Sequence, residues 1–189
     1  TTTITNDAPS VFPLGDTTVT WTVTDGSGNT ATCTQIVTIT DNIDPTFVSC
    51  AAPVSVNVDA SGCTTDLANI TLGTPTVDDN CTVASVTNDA PATFPLGDTT
   101  VTWTVTDGSG NTATCEQIVT ITDNIDPTFV SCAAPVSVNV DTAGCTTDVA
   151  NITLGTPTVD DNCTTTTITN DAPSVFPLGD TTVTWTVTD

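Results

Sequence analysis

TTVTWTVTDGSGNTATC, residues Thr17–Cys33, reads as a β-hairpin. Val19, Trp21 and Val23 alternate with Thr18, Thr20, Thr22 and Thr24, the two-residue period of a strand buried on one side. DGSGN, Asp25–Asn29, supplies a turn, with two glycines free to take positive φ. In the strand that follows, Cys33, Gln35, Val37 and Ile39 fall on one face. The stretch returns unchanged at Thr99–Cys115, and its first part returns at Thr181–Asp189.

Outward from the hairpin the chain is a repeat. TNDAP stands at Thr5–Pro9, Thr87–Pro91 and Thr169–Pro173, so the period is 87 − 5 = 169 − 87 = 82 residues. The eight cysteines obey it, pairing as positions 33 and 115, 50 and 132, 63 and 145, and 81 and 163. Residues 165–189 copy residues 1–25 letter for letter, which hints at a higher-order repeat of two units. The joint is TDNIDPTF at Thr40–Phe47 and Thr122–Phe129, where Pro45 or Pro127 forbids a continuing ladder. The expected domains are the C-terminal part of one repeat at 1–43, a complete repeat at 44–125, and the N-terminal part of a third at 126–189. Such a window predicts a segment of a longer array.

Within the complete copy, Phe47–Val58 reads as a strand pair broken at Pro53, with Val54, Val56 and Val58 pointing one way. Asp59–Gly62 reads as a turn, and Leu67–Leu72 as a strand with Ala68, Ile70 and Leu72 inward. Gly73–Cys81 reads as a loop and Thr82–Thr87 as a strand. Asp89–Gly97 reads as a crossover whose Phe94 and Leu96 plug the core. Many short strands with regular turn signals predict an all-β fold: immunoglobulin-like β-sandwich repeats in tandem, forming an extended rod or filament. Trp103 is expected in the core.

Composition narrows the function. The chain has no Lys, Arg or His and a formal charge of −22. Nucleic acid is excluded as a partner, because neutralising phosphates takes Lys or Arg. No segment is apolar for long enough to span a bilayer, so no membrane insertion is expected. Without His or Lys there is no Ser–His pair and no Schiff base, and no enzyme is expected. A chain this acidic repels itself unless cations bind, and oxygen-rich residues favour a hard cation such as Ca²⁺. Four cysteines per repeat read as two disulfides, with three pairings open; a Cys₄ zinc site would want paired C-x-x-C knuckles, which are absent.

The frame DPTFVSCAAPVSV, PTVDDNC, FPLGDTTVTWTVTDGSGNTATC and VTITD resembles the hyalin repeat family over the whole 82-residue unit, 126 − 44 = 82, and in all copies. One departure is Ala51 after the first cysteine, where the family usually has Pro. The resemblance implies an Ig-like fold and a role in extracellular adhesion or spacing, without catalysis. Long acidic arrays of such repeats resemble the giant surface adhesins of gliding Bacteroidetes. The resemblance also implies disulfides Cys50–Cys115 and Cys63–Cys81, and with them Cys145–Cys163 one period on. The first fits a sandwich whose first and last strands are neighbours. The second is awkward, because its cysteines start a strand's length, roughly 20 Å, apart.

Tracing the chain through a sandwich brings three acidic segments to each joint. The linker residues Asp41, Asn42 and Asp44 should meet Asp78, Asp79 and Asp107; Asp123, Asn124 and Asp126 should meet Asp160, Asp161 and Asp189. The expected ligand is Ca²⁺, with a logic that resembles cadherin-type linkers. The bland alternative is that Asp and Asn only form turns. N-x-Thr sequons occur at Asn69, Asn80, Asn151 and Asn162, and the position of Asn80 and Asn162 beside the joint argues against glycans there. The function expected is a stalk of an extracellular, cell-surface adhesin, in gliding motility or surface attachment. Its partners would be neighbouring repeats, other copies in a filament, and a surface or glycan target. The alternatives are a carbohydrate- or ligand-binding module, which would need an exposed aromatic platform, and a passive spacer in a secreted enzyme.

Overall fold

A computed structural model describes residues 1–58, 62–140, 144–163 and 166–189. The turn read at Asp59–Gly62 lies, but for Gly62, outside the described residues. Among the described residues the chain is nearly all β, with two short 3₁₀ turns. No helix among the described residues is long and apolar enough to cross a membrane.

The first copy contributes β1 (Thr3–Asn6), β2 (Gly15–Thr24) and β3 (Thr30–Ile39), hydrogen-bonded in the order β1-β2-β3. The expected hairpin is present, in continuous antiparallel register from Gly15↔Ile39 to Thr24↔Thr30. Its turn works as its residues require. The Asp25 carbonyl accepts the Gly28 N–H at 3.1 Å, and Gly28 sits at φ 92°, where a Cβ would strain the backbone.

The complete copy runs β4 (Thr46–Ser49), β5 (Val54–Asn57), β6 (Thr64–Asp66), β7 (Thr76–Asp78), β8 (Val83–Asn88), β9 (Thr93–Pro95), β10 (Gly97–Asp107) and β11 (Thr112–Thr122). One sheet has the order β5-β11-β10-β8; β4 pairs with β7 and β6 with β9. This is the expected β-sandwich. The parallel pairing of β5 with β11, Val54↔Val119 to Asn57↔Thr122, sets the repeat's early strand beside its last one. The third copy adds β12 (Thr128–Ser131), β13 (Thr146–Asp148), β14 (Thr158–Asp160), β15 (Thr167–Asn170), β16 (Val175–Pro177) and β17 (Trp185–Thr188). Its pairs repeat those of the second: Thr46↔Asp78 becomes Thr128↔Asp160, with the same irregularity after the phenylalanine.

The chain divides into two compact bodies, 1–52 with 73–89 and 101–117, and 53–72 with 90–100 and 118–189. In the first, Val101, Trp103 and Val105 are buried, as their alternation predicts. Trp103 Nε1 donates to Gln117 Oε1 at 3.0 Å, and Gln117 Nε2 donates to the Ala52 carbonyl at 2.6 Å. Gln117 is 1% exposed and satisfied at both ends of its amide, so a polar residue on the apolar face of β11 is a linchpin of the core. Cys50 and Cys115 form the disulfide the family resemblance implies. In the second body, Val119 and Ile121 of β11 are buried, as is Phe94 of β9. Of the same letters in β3, Val37 is half-buried and Ile39 exposed.

Three local expectations are corrected. Leu67–Leu72 is not a strand: Thr64–Asp66 is, and Leu67–Asn69 is a 3₁₀ turn closed by the Ile70 N–H donating to the Leu67 carbonyl at 3.0 Å. Ile70 is buried as expected, but at the end of a turn. Thr76–Asp78 is a strand inside the segment read as loop, because it pairs with β4. Leu96 is 41% exposed, and Phe94 alone fills the core position assigned to both.

A candidate metal centre

Three carboxylates from three separate segments meet at Asp41, Asp79 and Asp107, and again at Asp123, Asp161 and Asp189. In each group one oxygen per residue lies within 4.8 Å of the others. The groups are related by the repeat, 123 − 41 = 161 − 79 = 189 − 107 = 82.

Asp107 ends β10 and is 2% exposed. Its Oδ1 accepts the N–H groups of Ser109 and Asn111 at 2.9 and 2.7 Å, and Oδ2 accepts Asn111 Nδ2 at 2.7 Å. Burial pushes this carboxyl up, but the bonds from Asn111, Ser109 and Gly110 together outweigh it and hold the acid below its ordinary value. The same Asn111 amide reaches the carbonyls of Asp41 and Ile43, at 3.4 and 3.3 Å. One side chain thus stitches the linker to the hairpin turn. Asp41 Oδ1 accepts the Ile43 N–H at 3.1 Å and Asn80 Nδ2 at 3.3 Å. Asp79 Oδ2 accepts the Cys81 N–H at 2.9 Å. The remaining oxygens, Asp41 Oδ2 and Asp79 Oδ1, are buried and have no hydrogen-bond partner.

At the second cluster Asp123 Oδ1 accepts the Ile125 N–H at 3.1 Å and Asn162 Nδ2 at 3.5 Å. The Ile125 bond leads in holding Asp123 below the ordinary carboxylate value, with Cys163 and Asn162 adding to it. Asp161 Oδ2 accepts the Cys163 N–H at 3.0 Å. Asp189 completes the group from an exposed position.

Each cluster gathers fewer of the acidic residues than the linker tracing brought to the joint. Asp44, Asp78, Asp126 and Asp160 are exposed and outside both clusters, and Asn42 and Asn124 are exposed. Neighbours alternate: Asp41, Asp79, Asp123 and Asp161 are half-buried while Asn42, Asp78, Asn124 and Asp160 beside them are not. The inward members are those whose carboxylates accept the N–H two residues on: Asp41 from Ile43, Asp79 from Cys81, Asp123 from Ile125 and Asp161 from Cys163. Asn80 and Asn162 spend their amides on Asp41 and Asp123, which fits the reading that neither carries a glycan. Asn111 was the residue that motif reasoning missed; the D-x-x-x-N spacing of the turn is its signal.

The cysteines of the implied inner pair sit beside different strand pairs. Cys63, Cys81, Cys145 and Cys163 are not joined. Cys63 precedes β6, which pairs with β9, whereas Cys81 follows β7, which pairs with β4. The sulfur of Cys63 lies instead against Cys163, 2.7 Å from its carbonyl oxygen.

Comparison with known proteins supplies the context. The family described as HYR domain matches residues 1–39 and 40–121. The chain is 31% identical over 192 residues to hyalin of Lytechinus variegatus, covering 98% of this chain and 36% of that protein. It is 34% identical over 196 residues to hyalin of Strongylocentrotus purpuratus, covering 96% of this chain and 16% of that protein. It is 33% identical over 111 residues to the sushi, von Willebrand factor type A, EGF and pentraxin domain-containing protein 1 of Mus musculus, covering 57% of this chain and 3% of that protein. The chain thus spans about a third or less of the curated relatives it matches. The matched stretches fall on the first hairpin and on the sandwich with its acid-lined linker, and they take in well over half the sequence: the chain belongs to the HYR domain family.

Proposed function

We propose that the chain is a non-catalytic structural segment of an extracellular, cell-surface adhesin, a stalk of HYR repeats whose joints are fixed by Ca²⁺. The repeats would run 1–43, 44–125 and 126–189, each with its neighbours as first partners. The observation that carries the reading is the meeting of Asp41, Asp79 and Asp107 within 4.8 Å, repeated at Asp123, Asp161 and Asp189. Three anions so close repel, and the chain has no Lys or Arg to answer them. Hydrogen bonds hold one acid of each cluster, Asp107 and Asp123, below the ordinary carboxylate range. The buried, unbonded oxygens Asp41 Oδ2 and Asp79 Oδ1 want a donor or a cation. An all-oxygen donor set suits a hard ion, and Ca²⁺ tolerates irregular geometry better than Mg²⁺ does.

The long acidic array also supports the narrower reading of a bacterial surface adhesin of the gliding kind, with the surface or glycan gripped elsewhere. An aromatic binding platform has less support, because Trp103 is 6% exposed and spends its N–H on Gln117.

The test is thermal unfolding with and without chelator. At a calcium concentration 100 times the Kd, stability should rise by about 2.7 kcal/mol per site. Asp79→Asn together with Asp161→Asn should abolish the rise while leaving the chelated protein's melting point unchanged or higher. A wild-type melting point indifferent to calcium would overturn the proposal.

A further inference from the structure

Cys63 belongs to the complete repeat and Cys163 to the next, yet the two meet. Cys63 Sγ lies 2.7 Å from the Cys163 carbonyl oxygen and 3.4 Å from that of Asn162. In return, Cys163 Sγ lies 3.6 Å from the carbonyl of Gly62. Each sulfur therefore rests on the backbone of the other's residue or its neighbour. Cys163 is 5% exposed, while Cys81, its counterpart one period earlier, is exposed. The two cysteines sit in the same loop with the same local bonds: Asn80 Nδ2 to Cys81 Sγ and Asn162 Nδ2 to Cys163 Sγ, both 3.2 Å. What differs is the Gly62–Cys63 segment, which lies against the later loop.

We propose that Cys63 and Cys163 form a disulfide that joins successive repeats covalently. Since 163 − 81 = 82, the rule is general: the second cysteine of one repeat bonds the third of the next. Cys50–Cys115 closes a repeat on itself; Cys63–Cys163 closes it on its neighbour. The bond stands apart from the calcium proposal and does not need it.

Closing the bond removes two hydrogens and two electrons, which a disulfide donor takes up: an oxidised dithiol protein or a small disulfide. Cys63, half-buried, is the sulfur the donor reaches. Its thiolate attacks the donor disulfide and expels one donor thiolate. The Cys163 thiolate then attacks Cys63 Sγ, forming the Cys63–Cys163 bond and releasing the second donor thiolate. The donor leaves as a dithiol, with both protons accounted for.

The test is peptide mapping of the intact chain after oxidation in a glutathione redox buffer, with alkylation in denaturant and isolation of the monomer. With no Lys or Arg to cut at, a protease cleaving before Asp is used. It places Cys63 in residues 59–65, Cys163 in 161–170, Cys81 in 79–88 and Cys145 in 141–147, four peptides of different mass. The expected result is 59–65 linked to 161–170, with Cys63→Ser leaving 161–170 alkylated. Linkage of 59–65 to 79–88 or to 141–147, linkage only between chains, or an alkylated 59–65 in the oxidised wild type would overturn the proposal.

Discussion

Gln117 shows how much one side chain decides. Its amide satisfies the Trp103 indole and the Ala52 carbonyl inside an apolar core. Gln117→Ala leaves both groups unpaired and opens a cavity, so denaturant unfolding should show a loss of about 2–4 kcal/mol. A loss under 1 kcal/mol would mean that water replaces the amide. The Asp25–Asn29 clasp makes a second residue-level point. The Asn29 side-chain amide is the largest influence holding the Asp25 carboxyl below its usual 3.8, followed by the N–H groups of Asn29 and Ser27. A folded value below the unfolded one contributes stability above pH 3.8, and that contribution is lost as pH falls through the folded value. Carboxyl-carbon NMR should show the Asp25 midpoint moving up in Asn29→Ala. An unmoved midpoint would assign the effect to the backbone alone.

At the scale of elements, the hairpin was legible because alternation, turn and strand agree over Thr17–Ile39, with no competing signal. The buried faces of β10 and β11 follow directly from it. Leu67–Leu72 misleads because Ala68, Ile70 and Leu72 alternate like a strand, while a single Ile70-to-Leu67 bond closes the segment as a turn. Leu96 misleads because two apolar residues two apart in a crossover look alike, while room exists for Phe94 only. Of the acid clusters, the three converging segments were readable from strand counting. Which residue of each Asp–Asp or Asp–Asn pair turns inward goes with local i-to-i+2 turn bonds and was not. Cys63 was unreadable for a different reason: its neighbour lies 100 residues on, outside its own repeat. The disulfide Cys50–Cys115 spans 65 residues. Cys50→Ser with Cys115→Ser should cost about 2–5 kcal/mol of stability, seen as a lower denaturant midpoint. An unchanged midpoint would show that the β5–β11 pairing alone fixes the sandwich.

For the whole molecule, the acid clusters recur at an 82-residue offset, 123 − 41 = 82. The parallel pairing of β5 with β11 then has a mechanical consequence. A pull on the two ends of a repeat draws parallel neighbours in opposite directions, so their rungs resist together in shear instead of opening one by one. With Cys50 and Cys115 bonded, tension crosses from one sulfur to the other and bypasses the segment between them. Reduction would hand that tension to the β5–β11 ladder, and its rupture would release the hidden length. Single-molecule stretching should then show a further step of about 220 Å per repeat, 65 residues at ~3.4 Å each, present in reductant and missing under oxidising conditions.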